Sequence, residues 1–522
     1  MTAGTSDVIS GNLEETVSWF HEELGQNDDL VCRRFQVMGR YPAALFYFFS
    51  LIDQQLLNED ILRPLMQQPS EDLKRTLETK TLKRLLSEDV LHFGSLKFEQ
   101  QKDKLVSFAM RGDTIVFVDG MDEAMVFSCR KVEKRNTDQP KTESVIRGPR
   151  EGFIELLENN LSLLRYRLQS RNFRIKLLEI GQRTKTRVAV CFIEDIANPE
   201  LVSDVMNRLS RVKIDGIISS GYLEEYIEDN HWSPFPQVQY SERPDKVVAS
   251  MLEGRVAILA DGSPMALIVP AVFSQFYQTV EDYSERYLLV SAIRISRLLA
   301  LLFSLIFPSL YVAIISFNPE LIPTDFAVAV AGGRAGVPFP AVIEILIMEV
   351  SMEVLREASI RLPVQIGGAL SIVGAIIIGQ AAVSAGFASP ITVVIVALAT
   401  IGSFATPAYN AALALRLLRF PIIILAGTFG LFGIVVGLIF IVNHMLSLRS
   451  FGVPYLSPFV PPSSGAVRDM ILRAPMFMMK KRPESWHPQD DTRTPSAGGK
   501  GQAGEGAGWP TGGGAGGEGK GS

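Results

Sequence analysis

From Leu298 to Met445 this chain runs for long stretches without a charged residue, whereas before about residue 290 charges recur every few positions. Hydrocarbon penalises charge and needs about 20 consecutive apolar residues per helical crossing, so this segregation marks a multi-pass helical membrane domain. The rest of the chain has ordinary soluble patterning. The architecture expected is an α/β head of two similar subdomains followed by an α-helical membrane domain. The boundaries drawn are 1–29 as a flexible N-terminus, 30–145 as the first subdomain, and 146–290 as a linking helix with the second. Residues 291–448 form the membrane domain with four to five helical segments. A polar C-terminal segment covers 449–495, and a glycine-rich tail over 496–522 cannot bury a core and is expected to be disordered.

The head is organised by an internal likeness. The first copy reads Ala43-Ala-Leu-Phe-Tyr-Phe-Phe, then Asn58-Glu-Asp-Ile-Leu-Arg-Pro-Leu-Met, then Thr114-Ile-Val-Phe-Val-Asp-Gly. The second reads Arg187-Val-Ala-Val-Cys-Phe-Ile, then Val202-Ser-Asp-Val-Met-Asn-Arg-Leu, then Arg255-Val-Ala-Ile-Leu-Ala-Asp-Gly. Each is an apolar strand, a helix and a hairpin whose Asp-Gly dipeptide suits the positive backbone angles of a tight turn. A duplicated α/β unit accounts for this order.

Between the copies, Arg147, Arg150 and Glu151 open an amphipathic helix carrying Arg165 and Arg167. A second polar stretch, with Glu242, Arg243 and Asp245 and then Glu253 and Arg255, leads into the second hairpin. These ten residues read as an interface network docking the subdomains, with anion or partner-carboxylate binding as the other reading. The three cysteines, Cys32, Cys129 and Cys191, have apolar neighbours and are expected to be buried free thiols. The net charge of −5 and the lack of an arginine-rich, aromatic-interleaved patch argue against a nucleic-acid partner. No Walker loop, HExxH, G-x-S-x-G or CxxC pattern occurs, so neither an enzyme, a cofactor nor a metal site is expected. The acidic N-terminus lacks a signal peptide's basic and apolar regions, and Arg294 and Arg297 precede the first span, which places the head in the cytoplasm.

Within the membrane domain the first span is Leu298 to Phe317, with Pro308 expected to kink it. Phe339 to Leu362 is apolar yet carries Glu344, Glu349, Glu353 and Arg356. Glu349, Glu353 and Arg356 share one helical face and Glu344 points elsewhere. Acids are costly in lipid, so two readings stay open: a pore-lining or gating helix, or an interfacial helix with a structural Glu349 to Arg356 pair. Pro323, just before this segment, joins the gate candidates. Apolar stretches Ile366 to Phe387, Ile391 to Ala405 and Phe420 to Met445 follow, the second short and proline-flanked. Five crossings would put the C-terminus opposite the head, yet the basic residues from Arg449 to Arg482 argue for the same side.

Several motifs occur in order: Arg147-Gly-Pro-Arg-Glu-Gly-Phe, Asp215-Gly-Ile-Ile-Ser-Ser-Gly-Tyr, Pro234-Phe-Pro-Gln-Val-Gln-Tyr-Ser-Glu-Arg-Pro-Asp-Lys, Leu252-Glu-Gly-Arg, Asp261-Gly-Ser-Pro and Asn318-Pro-Glu-Leu-Ile-Pro. From about Leu30 to Arg482 the chain resembles the A subunit of the GerA family of spore germinant receptors, with SpoVAF-like proteins as close architectural relatives. The resemblance implies a multi-pass protein of the spore inner membrane, surrounded by membrane lipid, that works with a transporter-like B subunit and a lipoprotein C subunit. It further implies a homo-oligomer that releases monovalent cations as germination starts, with the nutrient bound by the B subunit.

Overall fold

The computed structural model describes residues 7–68, 82–86, 90–91, 93–131, 140, 143, 145, 147–361, 374, 376–460 and 469–494. The head contains two five-stranded sheets with one topology. Strands β1 (Leu30–Val37), β2 (Tyr41–Phe48), β3 (Lys97–Glu99), β4 (Thr114–Val118) and β5 (Ala124–Phe127) lie in the order β1-β2-β4-β5-β3. Strands β6 (Phe173–Ile180), β7 (Thr186–Ile193), β8 (Gln239–Ser241), β9 (Val256–Ala260) and β10 (Ala266–Val269) repeat it as β6-β7-β9-β10-β8. Every neighbouring pair is antiparallel.

The repeat reaches individual hydrogen bonds. Asp119 Oδ1 accepts from the Leu13 amide at 3.3 Å, and Asp261 Oδ1 accepts from the Leu157 amide at 3.1 Å. Gly120 and Gly262 follow them with φ of 80° and 81°, which the missing Cβ permits. Each turn thus also holds the first amide of a helix, Leu13–Leu24 in one unit and Leu157–Arg167 in the other.

Helices cover both faces of each sheet, which is why the central strands are apolar without alternation. Leu13–Leu24 and Lys102–Met110 bury Phe20, Leu24, Leu105 and Ala109 against Phe46 and Phe117 on one face of the first sheet. Leu157–Arg167 and Pro244–Met251 do the same for the second, with Leu161, Leu164, Val247 and Met251 against Ile175 and Leu259. Residues 7–29 are therefore not a flexible lead-in: Asn12 caps a helix that completes the first core. The signal was a capping Asn12 followed by apolar Leu13, Val17, Phe20 and Leu24 on one helical face. Cys129 and Cys191 are buried, whereas Cys32 is exposed on β1, an edge strand, and departs from the buried environment expected for it.

The membrane domain opens with helix Tyr287–Phe317, 31 residues that run on through Pro308. Helices Thr324–Arg334, Ala341–Arg361 and Pro390–Ser403 follow, with residues 376–384 also helical. Residues 362–373 and 375, part of the expected Ile366 to Phe387 stretch, lie outside the described set, as does the tail 496–522.

The last helical stretch, Tyr409–Ser447, is not one span. Gly430 has φ 62° and ψ −142°, and a Cβ there would run into the side chain of Phe317 at the end of the first helix distant from the head. Both ends of the stretch meet the head: the Ala408 amide donates to the Phe276 carbonyl at 3.3 Å, while Met445 and Leu448 pack with Phe235 and Phe276. Residues 409–429 lead away from the head and 431–447 lead back. The sequence leaves the number of crossings open, with the basic residues from Arg449 to Arg482 arguing for a C-terminus on the head's side. Phe420 to Met445 spans the turn, and the chain leaves the membrane domain on the side where it entered.

Beyond it, residues 449–460 and 469–494 return to the second head unit. Ser450 Oγ donates to the Gln237 carbonyl at 2.7 Å and accepts from the Ala271 amide at 2.9 Å. Gln489 bonds the carbonyls of Glu194 and Ala197 at 2.8 Å, and Trp486 is buried against Val272 and Val453.

Candidate functional site in the membrane domain

Helix Ala341–Arg361 turns its acidic face onto two arginines of the 409–429 arm. Arg419 Nη1 donates to Glu349 Oε2 at 2.7 Å and its Nη2 to Ser304 Oγ of the first helix at 2.6 Å. Arg356 Nη1 donates to Glu353 Oε2 at 2.8 Å, and its Nη2 reaches Ser403 Oγ at 3.2 Å. Arg416 Nε lies 3.4 Å from Glu353 Oε1. One charged layer therefore ties together Tyr287–Phe317, Ala341–Arg361, Pro390–Ser403 and 409–429. Glu349 and Arg419 are buried, while the Glu353 side chain is 37% exposed.

Sequence spacing had offered Arg356 as the partner of Glu349. The structure instead pairs Glu349 with Arg419, and gives Arg356 to Glu353. Arg416 and Arg419 were missed because the last span was begun at Phe420. Their three-residue spacing in Leu413-Ala-Leu-Arg-Leu-Leu-Arg-Phe-Pro places both on one helical face, which was the available signal.

Glu344 lies apart, nearer the end of the domain distant from the head. Its Oε1 accepts from the Ser389 amide at 2.5 Å and its Oε2 lies 3.2 Å from Nε of the partly exposed Arg334, in a cluster where Glu344, Ser389 and Thr392 are fully buried beside Tyr311. Pro323 precedes helix Thr324–Arg334, its carbonyl accepting from the Ala327 amide at 2.9 Å, and joins neither cluster.

The head candidates divide. Arg165 makes a two-pronged pair with Asp29, Nε to Oδ2 and Nη2 to Oδ1 both at 2.6 Å, and also donates to Asn27 Oδ1 at 3.0 Å. Both charged side chains are fully buried, with the guanidinium 3.9 Å from the Phe48 ring centre. This pair joins the first unit, which supplies Asp29, to the second. Beside it Asn27 and Asp28 bond Ile175 and Leu177 of edge strand β6, covering its open edge.

The others serve the second unit and its surroundings. Arg167 binds Glu151 at 2.6 Å, Arg147 lies 3.7 Å from Glu285, and Arg150 is exposed. Arg243 pairs with Asp245 at 2.8 Å and donates to the Pro149 carbonyl, while the Glu242 carbonyl accepts from the Phe153 amide at 2.7 Å. Glu253 pairs with Arg493 of the C-terminal segment at 3.0 Å. Arg255 is fully buried among neutral acceptors, the Pro270 carbonyl at 2.8 Å and Gln239 Oε1 at 2.9 Å, and burial pulls its pKa down to about 9.

The family described as Bacillus/Clostridium GerA spore germination protein matches residues 18–485, from within the first head helix into the C-terminal segment. The chain belongs to the GerA family. This GerA chain is 42% identical over 488 residues to spore germination protein KA of Bacillus subtilis (strain 168), covering 93% of this chain and 89% of that protein. It is 39% identical over 478 residues to the membrane protein YfkQ of the same strain, covering 92% of each. It is also similar to the crystal structure of the N-terminal domain of the A subunit of the Bacillus megaterium spore germinant receptor GerK3. The identity is 31% and the TM-score 0.41, over 52% of this chain and 99% of that one. The charged layer lies inside the family match, in a domain with helix Tyr287–Phe317, apolar and long enough to cross a membrane, and the apolar stretch Tyr409–Ser447 that turns back at Gly430.

Proposed function

We propose that this GerA protein is the A subunit of a nutrient germinant receptor in the spore inner membrane, its head cytoplasmic, and that it has no catalytic activity. It assembles with further copies of itself and with a transporter-like B subunit and a lipoprotein C subunit. Nutrient bound by the B subunit opens a path for monovalent cations. The observation that carries this reading is the charged layer. Ionisable side chains within a membrane domain are costly to keep there, so such groups mark a functional path by default. In the resting chain Glu349 and Glu353 are held by arginines, and gating frees them to attract cations.

The test is Glu353→Ala, alone and with Glu349→Ala, in the assembled complex. Nutrient-triggered cation release should fall several-fold while subunit levels stay normal; unchanged release at normal levels would exclude these residues from the path. The pairing of Glu349 within one chain favours a second reading, a non-conducting relay. Nutrient-dependent conductance of the purified complex in liposomes separates the two, since a relay conducts nothing.

A further inference from the structure

The charged layer does not balance. It holds two carboxylates, Glu349 and Glu353, against three guanidinium groups, Arg356, Arg416 and Arg419. The remaining ionic groups nearby cancel as Arg334 with Glu344 and Arg361 with Glu357. Residues 362–375, which join the acidic helix to the next segment, contain no Asp or Glu. One positive charge per chain is left inside an apolar domain, where an uncompensated ion is expensive.

The surplus is localised by hydrogen bonding. Arg419 is hydrogen-bonded through both terminal nitrogens, whereas Arg416 makes no hydrogen bond among the described residues, although it is only 7% exposed. The Nε atoms of Arg356, Arg416 and Arg419 are all buried without a hydrogen-bond partner, so what sets Arg416 apart is that its terminal nitrogens also have none. Arg416 reaches back two helical turns towards the head, its guanidinium 5.7 Å from the Tyr409 ring centre, as a snorkelling arginine does. Arg356 lies 5.0 Å from the Phe404 ring centre. Tyr409 and Phe404 are themselves exposed, as are Val354, Leu413 and Leu417 beside the charges.

We infer that the Arg356–Arg416 pair is a binding site for the phosphate of an anionic phospholipid on the head side of the membrane. Phosphate supplies the missing negative charge and the acceptors these guanidinium groups lack. The exposed Val354, Leu413 and Leu417 beside it match acyl chains, and exposed aromatics at this level match the headgroup boundary. Free phosphate offers the same charge but no counterpart for the apolar rim. The site rests only on the membrane placement of these helices and stands whether or not the protein conducts.

The test uses the full chain in nanodiscs of phosphatidylcholine with and without phosphatidylglycerol, reading retained phospholipid by native mass spectrometry. Wild type should retain phosphatidylglycerol selectively, and Arg416→Gln should weaken retention about tenfold, the loss expected for a hydrogen-bonded charge contact. Glu353→Gln should strengthen retention by removing the competing carboxylate, which keeps the test decisive if Arg416→Gln fails to fold. Arg361→Gln, an exposed change on the same helix, should do nothing. Displacement by millimolar inorganic phosphate would mean a free-anion site and overturn the lipid assignment. Retention indifferent to headgroup and to both variants would overturn the proposal, leaving the charge to another counter-group such as a partner's carboxylate.

Discussion

At the scale of single residues, the head depends on Arg165. Its guanidinium is stacked on Phe48, forked onto Asp29 and bonded to Asn27, with no solvent to compensate either charge. A buried pair adds little net stability over an apolar one, but removing one member strands the other. Arg165→Ala should therefore destabilise the head by about 3–5 kcal/mol, while Arg165→Met with Asp29→Leu should recover most of that loss. Denaturant unfolding of the full chain in detergent measures both. A single substitution costing under about 1 kcal/mol would show that the pair is dispensable. Helical spacing puts Arg165, unlike Arg167, on the face of Leu161, Leu164 and Leu168, but its partner Asp29 lies 136 residues away and is chosen only by tertiary packing.

At the scale of elements, Gly430 turns one apolar run into two opposed helices. A Cβ there would adopt a conformation unfavourable to L-residues and would meet the Phe317 ring at 3.0–3.2 Å. Gly430→Ala should cost about 1–3 kcal/mol in thermal unfolding of the detergent-solubilised chain. Gly332→Ala, where nothing lies within 4 Å, should be neutral or slightly stabilising. Equal stability of the two variants would argue against a specific turn at Gly430.

The same contrast explains what was legible beforehand. The duplicated sheets could be read because Asp119-Gly120 and Asp261-Gly262 are local turn chemistry flanked by apolar strands. The acidic face of Ala341–Arg361 could be read because helical spacing is local too. The turn at Gly430 could not, since hydropathy averages over a positive φ and Gly430 sits among other glycines, Gly427, Gly433 and Gly437. The partner of Glu349 could not either: Arg419 lies 70 residues away and is chosen by packing.

At the scale of the whole molecule, the C-terminal segment couples the membrane domain to the head. Asp469 lies 3.2 Å from Arg294 at the start of the first membrane helix and accepts from the Tyr283 hydroxyl at 2.7 Å. Arg473 donates to the Glu285 carbonyl at 2.6 Å, while Arg482 and Arg493 bind Leu252 and Glu253 of the second head unit. Asp469→Ala should raise amide exchange in residues 283–294 about tenfold, the equivalent of one charged hydrogen bond, and should also raise it in residues 449–455. Exchange confined to 469–473 would show that the segment is only laid against the surface.

Because residues 409–447 fold back at Gly430, the first and last membrane segments are both fastened to the same head unit. In mechanical terms they form a frame that must travel with the head. The acidic helix is held inside that frame by side-chain contacts, and Pro390–Ser403 runs directly into the frame through residues 404–408. A displacement of the head would therefore be felt first at the surface where Arg416 and Arg419 meet Glu353 and Glu349.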